Sequence, residues 1–174
     1  MTLRKYTGMA VLVALFPLAA QAQESGAYTA FGAATYDFDT YGVDVKLGYN
    51  FNRNFGVELQ GVLGLTSDSQ PLCSSPNCAT LKQKTDYTAG LFAVGRLPLS
   101  DQFEIFARGG VHTTQYGFKI NNALNTEFEA DYTGVAVGAG IQYKLNDRNA
   151  LRLETTYLDN ADSQTSAISF VRKF

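Results

Sequence analysis

The sequence predicts an all-β protein, an eight-stranded antiparallel up-and-down β-barrel whose strands cross a membrane. Three observations lead there. Segments of about ten residues alternate between apolar and polar side chains, as strands with two different environments do. The connections between them alternate between short and long. After the N-terminal stretch, no run approaches the ~18 apolar residues that a membrane helix needs. Composition agrees: 45% of residues are hydrophobic, and there are 10 Tyr and 12 Phe but no Trp.

The N-terminal stretch is expected to be a secretory signal peptide, residues 1–22. Arg4 and Lys5 precede an apolar run over residues 9–20, broken by Pro17, and Ala20-Gln21-Ala22 fits the small-x-small cleavage pattern. Residues 23–174 then form one barrel domain, as the length suits. Loss of Arg4 and Lys5 makes a chain of formal charge −2 two units more acidic. With no Lys/Arg cluster, nothing points to nucleic acid as a partner.

The first strand is expected over residues 27–36 and is the least regular. The second, residues 41–51, alternates most cleanly: Val43, Val45, Leu47, Tyr49 and Phe51 are apolar, while Asp44, Lys46 and Asn50 fall between them. Asn52-Arg53-Asn54 reads as a tight turn. The third strand, 55–65, carries Phe55, Val57, Leu59, Leu63 and Leu65 on one face and Glu58 and Gln60 on the other. Further strands follow at 87–97, 103–116, 132–145, 151–158 and 165–174. Short connections are expected at 52–54, 98–102 and 146–149, and longer ones at 37–40, 66–86, 117–131 and 159–164. All short turns then lie at one end, the pattern of outer-membrane barrels, whose short turns face the periplasm.

Period alone does not say which face is inside, because a soluble barrel has the same alternation. Three features place the apolar face outside. The chain ends on a strand with Phe174 last and Phe170 on the same face, like the C-terminal signal read by the barrel-assembly machinery. Tyr49, Phe51, Phe55, Phe103, Tyr143 and Tyr157 lie near strand ends on the apolar faces, as membrane-interface girdles do. The opposite face carries paired opposite charges. Arg172 lies on the outward face and fits only by snorkelling to the interface.

The segment Leu47-Gly-Tyr-Asn-Phe-Asn-Arg-Asn-Phe-Gly-Val-Glu58 resembles the second hairpin of the OmpA-type and OmpX-type outer-membrane β-barrel superfamily. Gly95-Arg-Leu-Pro-Leu-Ser-Asp101 with Phe106-Ala-Arg108 resembles its strand four, turn and strand five. Gly140-Ile-Gln-Tyr-Lys-Leu145 with Leu151-Arg-Leu-Glu154 resembles strands six and seven. The resemblance covers nearly all of residues 23–174 and implies location in the bacterial outer membrane. It also implies that Glu58, Arg108, Arg152 and Glu154 belong to a charge network inside the barrel. Val94 and Gln142 stand where OmpA itself has Lys and Glu, so the exchange partners of an OmpA-type gate are expected to be missing.

Other candidates come from the residues themselves. Glu58, Arg108, Arg152 and Glu154 share the polar face, and an eight-stranded barrel is just wide enough for side chains to fill it, so these charges must pair. Cys73 and Cys78, within Cys-Ser-Ser-Pro-Asn-Cys, suggest a disulfide in the longest loop of a secreted chain. They lack the further ligands of a metal site. His112-Thr113-Thr114 with Glu127, Glu129 or Glu154 faintly echoes lipid A deacylases. Thr is a poorer match to their serine, and His112 shares the inward face with Arg108, so no catalytic residue, cofactor or metal is expected. The glycine-rich run 133–141 lacks the Lys-Ser/Thr of a phosphate loop and reads as a strand making room for large inner side chains.

The expected role is structural or interactive. A barrel set among outer-membrane lipid and lipopolysaccharide presents its loops, 66–86 and 117–131 above all, to the envelope exterior or to a host protein. A small gated pore is the alternative, and a lipid-modifying enzyme a weaker third. No peptidoglycan-binding segment is expected after Phe174.

Overall fold

The computed structural model describes residues 25–37, 40–74, 77–121, 126–159 and 163–174, with backbone alone for 67–74, 77–85, 118–121 and 126–128. The expected leader lies outside the described residues. Nine strands follow in order: β1 (Gly26–Tyr36), β2 (Thr40–Asn50), β3 (Phe55–Gly64), β4 (Ser67–Ser74), β5 (Asn77–Pro98), β6 (Phe103–Asn121), β7 (Thr126–Lys144), β8 (Asn149–Leu158) and β9 (Ser163–Lys173). All pair antiparallel. β1 pairs with β9, and β3 with β5, so eight strands close into a ring and β4 stands outside it, paired only with β5. Closure leaves the eight-stranded wall without a free edge, the condition for crossing lipid with strands.

Alternation along each strand sorts side chains to two sides. In β8 every second residue from Ala150 to Leu158 is buried, while Leu151, Leu153 and Tyr157 face outward. Phe31, Leu47, Leu59, Leu91, Val137 and Ile168 are likewise exposed, and Lys46, Glu58, Arg108 and Arg152 are buried. Polarity is therefore inverted relative to a soluble barrel. At the short-turn end Tyr49, Phe51, Phe55 and Phe103 face outward, and the Phe103 ring packs 4.8 Å from that of Tyr143.

Three short turns share one construction. Asn52 Oδ1 accepts from the N–H groups of Asn54 and Phe55 at 2.8 Å. Ser100 Oγ does the same for Gln102 and Phe103, at 3.3 and 3.0 Å. Asn146 Oδ1 repeats it for Arg148 and Asn149, at 3.0 and 2.9 Å. In each a side-chain acceptor satisfies N–H groups that the ladder no longer reaches. At the opposite end Asp37 takes a positive φ of 49°. Its carboxylate accepts from Ser163 Oγ and Gln164 N, both at 2.8 Å, tying the end of β1 to the start of β9.

The expected long connections at 66–86 and 117–131 are largely strand. β4 and β5 form a hairpin that fills the first, and β6 and β7 extend through most of the second. A register shift between Thr85 and Tyr87 marks where β5 leaves the barrel wall. Four strands thus rise beyond the ring. β7 pairs with β8 only from Ala136 onward, so its residues 126–135 have a ladder neighbour on one side alone among the described residues. The period that marks the wall strands fades there, although the backbone still pairs.

Candidate functional site: an ionic lumen

The inward side chains of β2, β3, β6 and β8 meet in one network. Glu58 on β3 is its best-satisfied member. Arg152 Nη1 donates to Glu58 Oε2 at 2.5 Å, Arg108 Nη1 to Oε1 at 2.8 Å, and the Tyr28 hydroxyl to Oε2 at 2.7 Å. Arg108 also reaches Gln60 Oε1 at 2.8 Å and Glu154 Oε1 at 3.1 Å. Glu154 is held by charge rather than by aligned hydrogen bonds: Lys46 Nζ lies 2.9 Å away, and neither carboxylate oxygen has a well-directed donor. Lys46 pairs in addition with Asp44, which accepts from Gln60 Nε2 and Ser169 Oγ at 2.7 Å each. The four residues expected to face the lumen, Glu58, Arg108, Arg152 and Glu154, are thus brought together.

The network is larger than these four. Asp44 and Lys46 belong to it, and their place on the polar side of the second strand was the signal that could have found them. Towards the short-turn end, Arg152 Nε donates to Gln142 Oε1 at 3.0 Å, and Gln142 Nε2 to Glu104 Oε1 at 2.8 Å. Arg96 lies 3.8 Å from Glu104 and donates to the Tyr28 hydroxyl at 2.8 Å. Gln142 is therefore a neutral link between Arg152 and Glu104. Arg108, shared between Glu58 and Glu154, supplies a connection that the expected absence of exchange partners did not foresee.

Aromatic rings fill the space around the cations. Arg108 lies 4.3 Å from the Phe92 ring centre, and Arg152 lies 4.8 Å from that of Phe106 and 5.3 Å from that of Tyr28. Such contacts contribute about 0.5–2 kcal/mol each. Inward glycines make the room. A Cβ on Gly48 would meet the Tyr28 ring at 2.0 Å, and one on Gly140 the Phe106 ring at 2.5 Å. Beyond the ions, towards the long-strand end, Ala34, Tyr36, Val62, Ala136, Leu158 and Ala167 belong to a buried apolar cluster, and the Tyr36 hydroxyl donates to Thr88 Oγ1 at 2.8 Å. Tyr28, Ala30, Ala150 and Val171 form another cluster near the short turns.

Other expected residues lie elsewhere. His112 is buried, with Nδ1 3.3 Å from Thr114 Oγ1 and Nε2 without a partner. Thr113 points the other way and accepts from Thr133 Oγ1 at 3.2 Å. Glu129 is exposed, 3.3 Å from Gln115 Nε2, while Glu154 lies in the ionic network. His112, Thr113 and these carboxylates are not brought together, and the side chain of Glu127 lies outside the described residues. Register sets Cys73 opposite Cys78 in the β4–β5 ladder, but their side chains also lie outside the described residues. Phe170 and Phe174 face outward, and Phe174 N donates to Ala27 O at 3.0 Å.

A closed antiparallel ring, greasy outside and ionic within, defines a transmembrane β-barrel of the outer-membrane class. The chain belongs to the family described as the outer membrane protein beta-barrel domain, which it matches over residues 8–174. It is thus a protein of the bacterial outer membrane. No curated protein matches the sequence. Among solved structures it is similar to the outer membrane protein OprG of Pseudomonas aeruginosa (16% identity, 87% of this chain and 97% of that one, TM-score 0.59). The N-terminal β-barrel domain of OprF from Pseudomonas aeruginosa is similar at 12% identity, over 87% of this chain and all of that one, with a TM-score of 0.57. Ail, the attachment invasion locus protein of Yersinia pestis, solved with the heparin analogue sucrose octasulfate, is similar at 16% identity over 86% and 97% of the two chains, with a TM-score of 0.56. At these identities the likeness is one of fold.

Proposed function

We propose that this protein is a non-conducting membrane anchor that presents its four-stranded extension to partners outside the cell. The observation that carries this reading is the lumen. Lys46, Arg96, Arg108 and Arg152 stand against Asp44, Glu58, Glu104 and Glu154, all buried. An ion entering would have to displace paired charges, and beyond them the hydrogen-bonded side chains of Tyr36, Thr88 and Thr114 fill the lumen. What remains for function is the surface above the membrane, where β4 to β7 offer paired backbone well beyond the wall. The attachment named for Ail supports the same class of role.

The test is electrical. Protein reconstituted into planar bilayers gives no discrete current steps across ±100 mV if the anchor reading holds. Regular steps from the folded protein would overturn it in favour of a pore. One observation favours that second reading: Arg108 is already shared between two carboxylates, so the network has partners to exchange.

Three further assignments belong to this reading. Residues 1–22 direct export and are removed. The C-terminal strand, ending in Phe170 and Phe174, is read by the barrel-assembly machinery. Cys73 and Cys78 close a disulfide that shapes the tip of the β4–β5 hairpin, for which their facing positions on adjacent strands are suitable. Thiol labelling of protein taken from the envelope, with and without reductant, tests the last point. Labelling before reduction refutes it.

A further inference from the structure

We infer that the corner of the barrel formed by Arg148 and Arg172 binds the phosphodiester headgroup of an anionic glycerophospholipid at the short-turn end. Among the described wall residues, Arg172 is the one charged side chain on the lipid-facing side. Asp44, Lys46, Glu58, Arg96, Glu104, Arg108, Arg152 and Glu154 point into the lumen and are buried, and Lys144 and Lys173 at the strand ends are half-buried. A guanidinium on a lipid-facing surface is costly unless it reaches the headgroups and finds a counter-charge there.

Its setting fits that task. Arg172 on β9 stands between the outward residues Phe170 and Phe174, and register places Asn149 on one side of it and Thr29 on the other. The aromatic residues mark the depth of the interface. Arg148, in the turn before β8, is held beside this strand because Lys173 N donates to its carbonyl oxygen at 2.7 Å. Both arginines are exposed, and neither forms an ion pair among the described residues. Asp147 is the neighbouring acid in the same turn, and it leaves the corner net basic. Two planar guanidinium groups suit a phosphate, which they can bind in bidentate fashion. Because short turns face the periplasm, the available phosphate is that of the phospholipid leaflet.

Protein extracted from outer membranes in a zwitterionic detergent, its fold checked by heat-dependent gel mobility, is titrated with dioleoylphosphatidylglycerol and separately with dioleoylphosphatidylcholine. Bound lipid is counted by native mass spectrometry. The anionic lipid should be retained about fivefold or more over the zwitterionic one, and Arg148→Gln and Arg172→Gln should each lower the preference by about fivefold. Arg172→Lys, which keeps the charge but loses the planar fork, should retain only part of it. Arg53→Gln, in a turn elsewhere on the same rim, should leave it unchanged. Equal retention of the two lipids, survival of the preference in the double glutamine variant, or an equal loss in Arg53→Gln would overturn the assignment. Arg148 lies in a turn, so its variant decides the question alone if Arg172→Gln fails to assemble.

Discussion

Glu58 and Glu154 carry the same charge at similar burial, yet their surroundings predict different consequences. Glu58 accepts from Arg152, Arg108 and the Tyr28 hydroxyl, so Glu58→Gln removes a charge that two buried guanidinium groups share. Breaking a buried pair costs about 3–5 kcal/mol, and unfolding of the variant by urea from phospholipid vesicles should show a loss in that range. Glu154 lacks an aligned donor, so Glu154→Gln should cost clearly less. Equal losses would mean that directed hydrogen bonds add nothing to the ionic term. Arg152→Ala should destabilise like Glu58→Gln, since it leaves Glu58 short of its nearest cation. Gly48 makes a steric prediction. Gly48→Ala places a methyl group inside the Tyr28 ring position and should impair assembly, whereas Tyr28→Ala combined with it should recover folded yield, read by gel mobility before and after heating.

At the scale of elements, the wall strands and the strands above them obey different rules. The wall was legible because lipid on one side and a packed lumen on the other impose a period of two, and every wall strand was placed from it. Val43 to Phe51 and Phe55 to Leu65 announce their faces residue by residue. The short turns were legible through Asn52 and Asn146, whose side chains cap them. The extension was not: the sequence from Ser67 to Ser74 and from Thr126 to Ala130 lacks the apolar alternation of the wall, and its polar residues read as loop. The ionic site was legible in part. Glu58, Arg108, Arg152 and Glu154 came from face and resemblance together, while the sharing of Arg108 depends on reach across the lumen, which no spacing within one strand encodes. The independence of the two regions is testable. β4 lies outside the closed ring, so replacing residues 67–84 with a short turn should leave a barrel that still shifts mobility on heating. A deletion that abolishes folding would show that the hairpin supports the wall.

For the whole molecule, the lumen's charge balance sets its permeability. The buried cations Lys46, Arg96, Arg108 and Arg152 match the buried anions Asp44, Glu58, Glu104 and Glu154 one for one, so the plug needs neither water nor counter-ions to stay neutral. Arg108→Ala takes away the cation that Glu58 and Glu154 share and leaves the interior with an excess negative charge. Unpaired carboxylates in a low-dielectric space draw in water or a cation, because leaving them bare costs several kcal/mol. On the anchor reading, planar bilayers holding the folded Arg108→Ala variant should therefore show small, cation-selective current steps where the parent protein shows none. Adding Glu154→Gln restores neutrality without restoring the arginine's bulk, and so separates charge from steric filling. If charge governs, the double variant falls silent again. If the steps persist there, the missing side-chain volume opens the path. A folded Arg108→Ala variant as silent as its parent would show that the remaining lumen side chains, Val62, Leu158 and the hydrogen-bonded Tyr36, Thr88 and Thr114 among them, close the barrel without it.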